Sequence, residues 1–139
     1  MIQEAYNASL WGITVIILLV IVQWAIATAV KAKQKGAIPG KIDSSLSHDS
    51  FVFRAHRTFM NTLENIPAML GICFLALFIG TDPTWTAALI WIFVASRAIH
   101  MALYYAIATE KNPSPRTYFF LFGFLATLGL FGLCIATLV

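Results

Sequence analysis

Four apolar runs separated by three polar breaks set the architecture of the chain. Ser9 to Val30 carries no charge and a single amide, Gln23. At about 1.5 Å per residue it covers the roughly 30 Å hydrocarbon layer and predicts a first membrane span. Lys31, Lys33, Lys35 and Lys41 follow in a loop punctuated by Gly and Pro, whose tail DSSLSHDS offers helix-capping side chains. From Phe51 the pattern predicts a second helix, running through AMLGICFLALFIG to the turn signal Gly80, Thr81, Asp82, Pro83. That connection is short, so the second and third spans are expected as antiparallel neighbours. Trp85 to Ala108 forms the third run. After the break TEKNPSP, Ser114 can cap and Pro115 can open a fourth helix, in which Gly123, Gly129 and Gly132 would allow close packing. The expectation is an all-α, polytopic membrane protein, with a single four-helix domain over 1–139 and helices over about 9–32, 51–80, 84–108 and 115–138.

Composition agrees with that pattern. With 60% apolar and 11% charged residues in 139, the chain is not an ordinary soluble domain. The net charge of +3 arises mostly from one region and speaks to membrane orientation instead of nucleic acid. Lys and Arg crowd the first loop and the start of the second helix, recur between Lys111 and Arg116, and are missing from the amino-terminal segment and the loop at Asp82. Both termini are therefore expected outside, with the first and third loops in the cytoplasm; in a bacterium the membrane would be the inner one. Glu4 precedes the first run and the basic residues follow it, which argues against a cleaved signal peptide. Cys73 and Cys134 have no ligand-spaced neighbours and read as buried small hydrophobes, so no metal site is expected.

Two polar clusters interrupt the apolar runs. In RAHRTFMNTLENIP, Arg54, Arg57, Asn61 and Glu64 step by three and four and share one helix face, which is expected to point inward. Pro67 cannot donate to the carbonyl of Leu63 and loosens the backbone beside Glu64. In SRAIHMALYY, Arg97, His100 and Tyr104 likewise share a face. A charge in a span costs roughly 3 kcal/mol, so such residues seek partners or a wet cavity. Each cluster has a plainer reading as structural ion pairs, core hydrogen bonds or interfacial anchors.

The two patterns, R-x-x-x-N-x-x-E at Arg57, Asn61 and Glu64 with Pro67 behind, and R-x-x-H-x-x-x-Y at Arg97, His100 and Tyr104, resemble the MAPEG family of membrane proteins in eicosanoid and glutathione metabolism, which includes microsomal glutathione transferases and prostaglandin E synthase. The resemblance spans about residues 10 to 138. It implies a homotrimer that binds glutathione, as co-substrate, between subunits near the cytoplasmic face. It also implies that Arg57, Asn61, Glu64, His100 and Tyr104 contact the tripeptide, that Arg116 activates the thiol, and that Lys31 reaches in from a neighbour. His56 falls off the polar face, and Met60 stands where several eicosanoid-making members carry an arginine.

The chemistry fits the ligand. Glutathione's two carboxylates call for Arg54, Arg57 and Arg97, its ammonium for Glu64, and its amides for Asn61 and Tyr104. A thiol ionises near pH 8.5, and Arg116 in the first turn of a helix lowers that. The expected function is a glutathione-dependent transferase or peroxidase acting on lipophilic substrates that arrive from the bilayer. Two alternatives stay open: a scaffold of the same fold, and a small transporter working through Glu64, which clusters confined to one side of the membrane disfavour.

Overall fold

The computed structural model describes residues 1–139, with Ile2 described by its backbone alone. A single turn, α1 (Ile2–Ala5), leads into α2 (Asn7–Ala32), α3 (Phe51–Ile79), α4 (Pro83–Ala106) and α5 (Pro115–Leu138). No strand occurs among the described residues. By length and composition, α2 to α5 can each cross a membrane. Local chemistry writes their ends. Ser50 Oγ accepts from the Phe53 N–H at 3.5 Å, and the Asp82 carboxylate from Thr84 and Trp85 at 3.0 and 2.9 Å, with Pro83 behind it. At the start of α5, Thr117 Oγ1 accepts from the Ser114 N–H at 3.1 Å. Gly80 stops α3 at φ 73°, a left-handed conformation in which a side chain would be strained. α4 ends at Ala106, short of the expected Ala108, because Ile107 turns extended and its N–H closes on Leu103.

The four long helices alternate in direction, and α2–α3 and α4–α5 pack most extensively. At one end the Tyr6 hydroxyl donates to the Thr81 carbonyl, and Trp91 Nε1 donates to the Ala8 carbonyl at 3.0 Å. Those bonds tie the chain's start to the α3–α4 turn and to the first half of α4. Between the ends lies a core built from Ile13, Ile16, Met69, Cys73, Ile90, Phe93, Leu130 and Cys134, in which both cysteines are free thiols. The outer surface keeps Trp11, Leu18, Phe78, Phe122 and Phe131 exposed, as suits lipid on the outside.

Close approach depends on glycine at two positions. A Cβ on Gly12 would stand 2.5 Å from Ile90 Cγ2, and one on Gly129 would stand 3.0 Å from Leu89 Cδ2. Gly132, expected to serve packing as well, faces open space within the chain. Overpacking costs about 1–3 kcal/mol and the helix gains about 1 kcal/mol when Gly becomes Ala. Gly12→Ala is therefore expected to lower stability by up to about 2 kcal/mol, with no loss for Gly132→Ala, as read by thermal unfolding in detergent.

Candidate functional site

On α3 the side chains of Ala55, Thr58, Thr62, Ile66, Met69 and Cys73 are buried against the other helices. A helix turns about 100° per residue, so this stripe sends Glu64 and Arg57 to the far side and leaves Asn61 on the flank. The charged face expected to point inward therefore points out of the protomer, with Glu64 exposed and Arg57 half-buried. The physical reason is steric as well as electrostatic. Small and apolar side chains let α3 approach its neighbours, whereas an inward Glu64 would place an unpaired carboxylate among them. Among the described residues the close acid–base contacts are Met1 with Glu4 and the His48 imidazole with Glu110, the latter an ion pair only when the ring is protonated, so Arg57 and Glu64 do not pair with each other. Glu64 nonetheless sits roughly 20 Å along α3 from Phe51, at a depth where lipid is a poor neighbour.

The α4 cluster is inside. Arg97 is 2% exposed, His100 and Tyr104 are buried, and Arg97 Nη2 donates to Asn61 Oδ1 and Thr62 Oγ1, each at 2.9 Å. The guanidinium thus joins the two clusters. Because it occupies the Asn61 carbonyl oxygen, it fixes that amide with its NH2 group as the remaining donor. Arg97 Nε and His100 Nδ1 are buried without a protein partner, and no acid pairs with Arg97 among the described residues.

The rim is formed by residues from three separate stretches. Arg54 donates to the carbonyls of His48 (2.7 Å), Asp49 (3.0 Å) and Tyr105 (3.3 Å), so it fastens the first loop to the end of α4. The Arg116 guanidinium lies over the Tyr104 ring, 4.1 Å from its centroid, and Nη2 reaches the Thr109 carbonyl at 3.3 Å. His48, read in the sequence only as part of a capping segment, bonds through Nε2 to the Tyr104 hydroxyl at 2.9 Å and through Nδ1 to Glu110 at 2.7 Å. Nothing in the spacing of SHDS signals this, because both partners are more than fifty residues away. The bonds from His48 hold the Glu110 carboxyl below its usual range. That pairing accordingly stabilises the rim at neutral pH and is lost as the pH falls through the range of the carboxyl.

Lys31 is half-buried in the last turn of α2 and lines a pocket of about 360 Å³ with Lys35, Ile38, Lys41 and Val52, apart from the α4 cluster. The structure thus brings Asn61 to Arg97, and His100 and Arg116 to Tyr104. Arg54 is engaged with backbone, and Arg57, Glu64 and Lys31 stand free of the cluster within one chain. No group of three or more His, Cys, Asp or Glu among the described residues could hold a metal.

A model of the MAPEG family matches residues 8–136, nearly the whole chain. No curated protein and no solved structure matches.

The Arg97 clamp makes a stability prediction. A hydrogen bond to a charged group is worth about 1.5–3 kcal/mol, so Asn61→Leu is expected to destabilise by about that much. Asn61→Asp, which hands Arg97 a carboxylate, is expected to keep or raise stability, with thermal unfolding in detergent as the measurement.

Proposed function

Because the chain belongs to the MAPEG family, we propose that this integral, multi-pass membrane protein binds glutathione from the cytoplasmic side and delivers its thiolate to a lipophilic electrophile or a lipid hydroperoxide. The observation that carries the reading is the stacking of Arg116 on Tyr104, which sets a cation from the start of α5 over the buried α4 cluster. A guanidinium at a helix start, beside the backbone donors of the first turn, stabilises a thiolate.

Arg57 and Glu64 are left unengaged within one chain, and Asn61, Tyr104 and Arg116 keep bonding capacity beside their single protein contacts. Arg57 takes a carboxylate and Glu64 the ammonium, the Asn61 amide donates to a peptide carbonyl, and Tyr104 and Arg116 meet the thiol end. His100, with its buried Nδ1 unpaired, contributes a further hydrogen bond. Arg54 and Arg97, whose guanidiniums already serve protein acceptors, act by positioning. An exposed Glu64 on a membrane helix calls for a neighbouring protomer, so we read the assembly as a closed homotrimer with the site between subunits and Lys31 entering from next door. Electrophiles reach the site from the bilayer past the exposed apolar side chains.

Three outcomes test the reading. Glu64→Gln weakens glutathione binding by about 1–3 kcal/mol in titration calorimetry. Native mass spectrometry from mild detergent reports trimer; monomer alone would remove the intersubunit site. Arg116→Ala leaves affinity within a few-fold while turnover with an aryl halide falls by roughly tenfold to a thousandfold; unchanged turnover would return Arg116 to an anchoring role at the membrane surface.

A further inference from the structure

His48 has no place in the reading above, yet it is the best-connected side chain at the rim. Its ring lies 5.8 Å from that of Tyr104 and near parallel to it, and Phe53 of α3 meets it edge-on at 4.9 Å. Glu110 accepts from both its ring Nδ1, at 2.7 Å, and its backbone N–H, at 3.1 Å. Arg54 holds its carbonyl at 2.7 Å. The imidazole is thereby fixed on all sides while its side chain remains 19% exposed.

The hydrogen-bond inventory then determines which way the protons point. A carboxylate only accepts, so Nδ1 carries a hydrogen towards Glu110. In the neutral imidazole Nε2 is an acceptor, so the Tyr104 hydroxyl donates to it. The phenolic oxygen consequently offers a lone pair, and no proton, to whatever binds on its other side. The Arg116 guanidinium lies over the face of the same ring, 4.1 Å from its centroid.

We propose that His48, held by Glu110, is the proton acceptor behind Tyr104, drawing the proton of a thiol bound at Tyr104 through the phenol hydroxyl. This rests on the reading that the thiol end of glutathione meets Tyr104 and Arg116. As the S–H bond breaks, its hydrogen bonds to the Tyr104 oxygen, and the phenolic hydrogen passes to His48 Nε2. The thiol becomes a thiolate, Tyr104 ends neutral, and His48 ends as an imidazolium. The two new charges each face an opposite one, the thiolate beside Arg116 and the imidazolium beside Glu110. The Tyr104 hydroxyl now donates to the sulfur, and the proton stays on His48 beside the Glu110 carboxylate. His48 is a positioning residue that holds a proton and does not touch the tripeptide.

Other charges act on the relay. Arg116 and His100 stand against the Tyr104 ring, Arg54 and Phe53 of α3 flank His48, and Asp49 follows it in the chain.

The test is a pH titration of the ultraviolet thiolate absorbance of glutathione bound to the trimer, with calorimetric affinity measured in parallel. His48→Gln keeps a polar group of similar reach and cannot take a proton. The expected result is affinity within a few-fold of the parent, with the midpoint of thiolate formation moved up by about one pH unit, a tenfold loss of thiolate below it. Glu110→Gln, an exposed substitution, moves the midpoint the same way by less, and it carries the test if His48→Gln does not fold. A glutathione-binding variant whose titration superimposes on the parent's overturns the relay and leaves the glutathione reading standing. Failure of the parent to bind glutathione overturns both.

Discussion

Arg97 is a cation inside a bundle of apolar helices, and the site is arranged by the need to satisfy it. With no acid to pair with among the described residues, its guanidinium reaches across from α4 to α3 and bonds the side chains of Asn61 and Thr62. A charge this far from water is tolerated only when hydrogen-bonded, so the bond sets the register between the two helices as well as the orientation of the Asn61 amide. Every other polar group of the site is placed relative to that crossing. Tyr104 lies about two turns further along α4, towards the rim, where the first loop, the third loop and the start of α5 meet it.

The rest of the fold holds that crossing still. The far end is closed by Tyr6 on Thr81 and Trp91 on Ala8, and the packing of Gly12 against Ile90 brings α2 close to α4. At the near end Arg54 fastens loop carbonyls, and His48 and Glu110 draw two loops onto Tyr104. The stable part is thus the middle of the bundle, while the polar contacts from which chemistry would be built sit at one rim.

Much of this was legible in the sequence. Run length and the Lys and Arg between the runs identify four spans, and the caps at Ser50, Asp82 and Ser114 are visible as residue types ahead of Phe51, Pro83 and Pro115. The spacing of Arg97, His100 and Tyr104 correctly puts them on one buried face. What periodicity could not give was the direction of the α3 face. Arg57, Asn61 and Glu64 do align, but alignment does not say whether a face meets the bundle or leaves it. The stripe of Ala55, Thr58, Thr62 and Ile66 decides, because small side chains allow the closer approach. Nor could spacing separate a guanidinium free for a ligand from one already engaged, as at Arg54 and Arg97. His48 was invisible because its partners, Tyr104 and Glu110, become neighbours only when the loops fold over the rim.

An outward-facing Glu64 and the buried cluster of Arg97, His100 and Tyr104 make sense together if a charged, amide-rich tripeptide bridges them. The most direct measurement is equilibrium titration of the purified, detergent-solubilised protein with glutathione by calorimetry. Saturable heat at or below millimolar ligand, suppressed by Glu64→Gln, is the result this account predicts. No heat from a folded assembly at millimolar glutathione would contradict it and leave the clusters as structural contacts of a membrane scaffold.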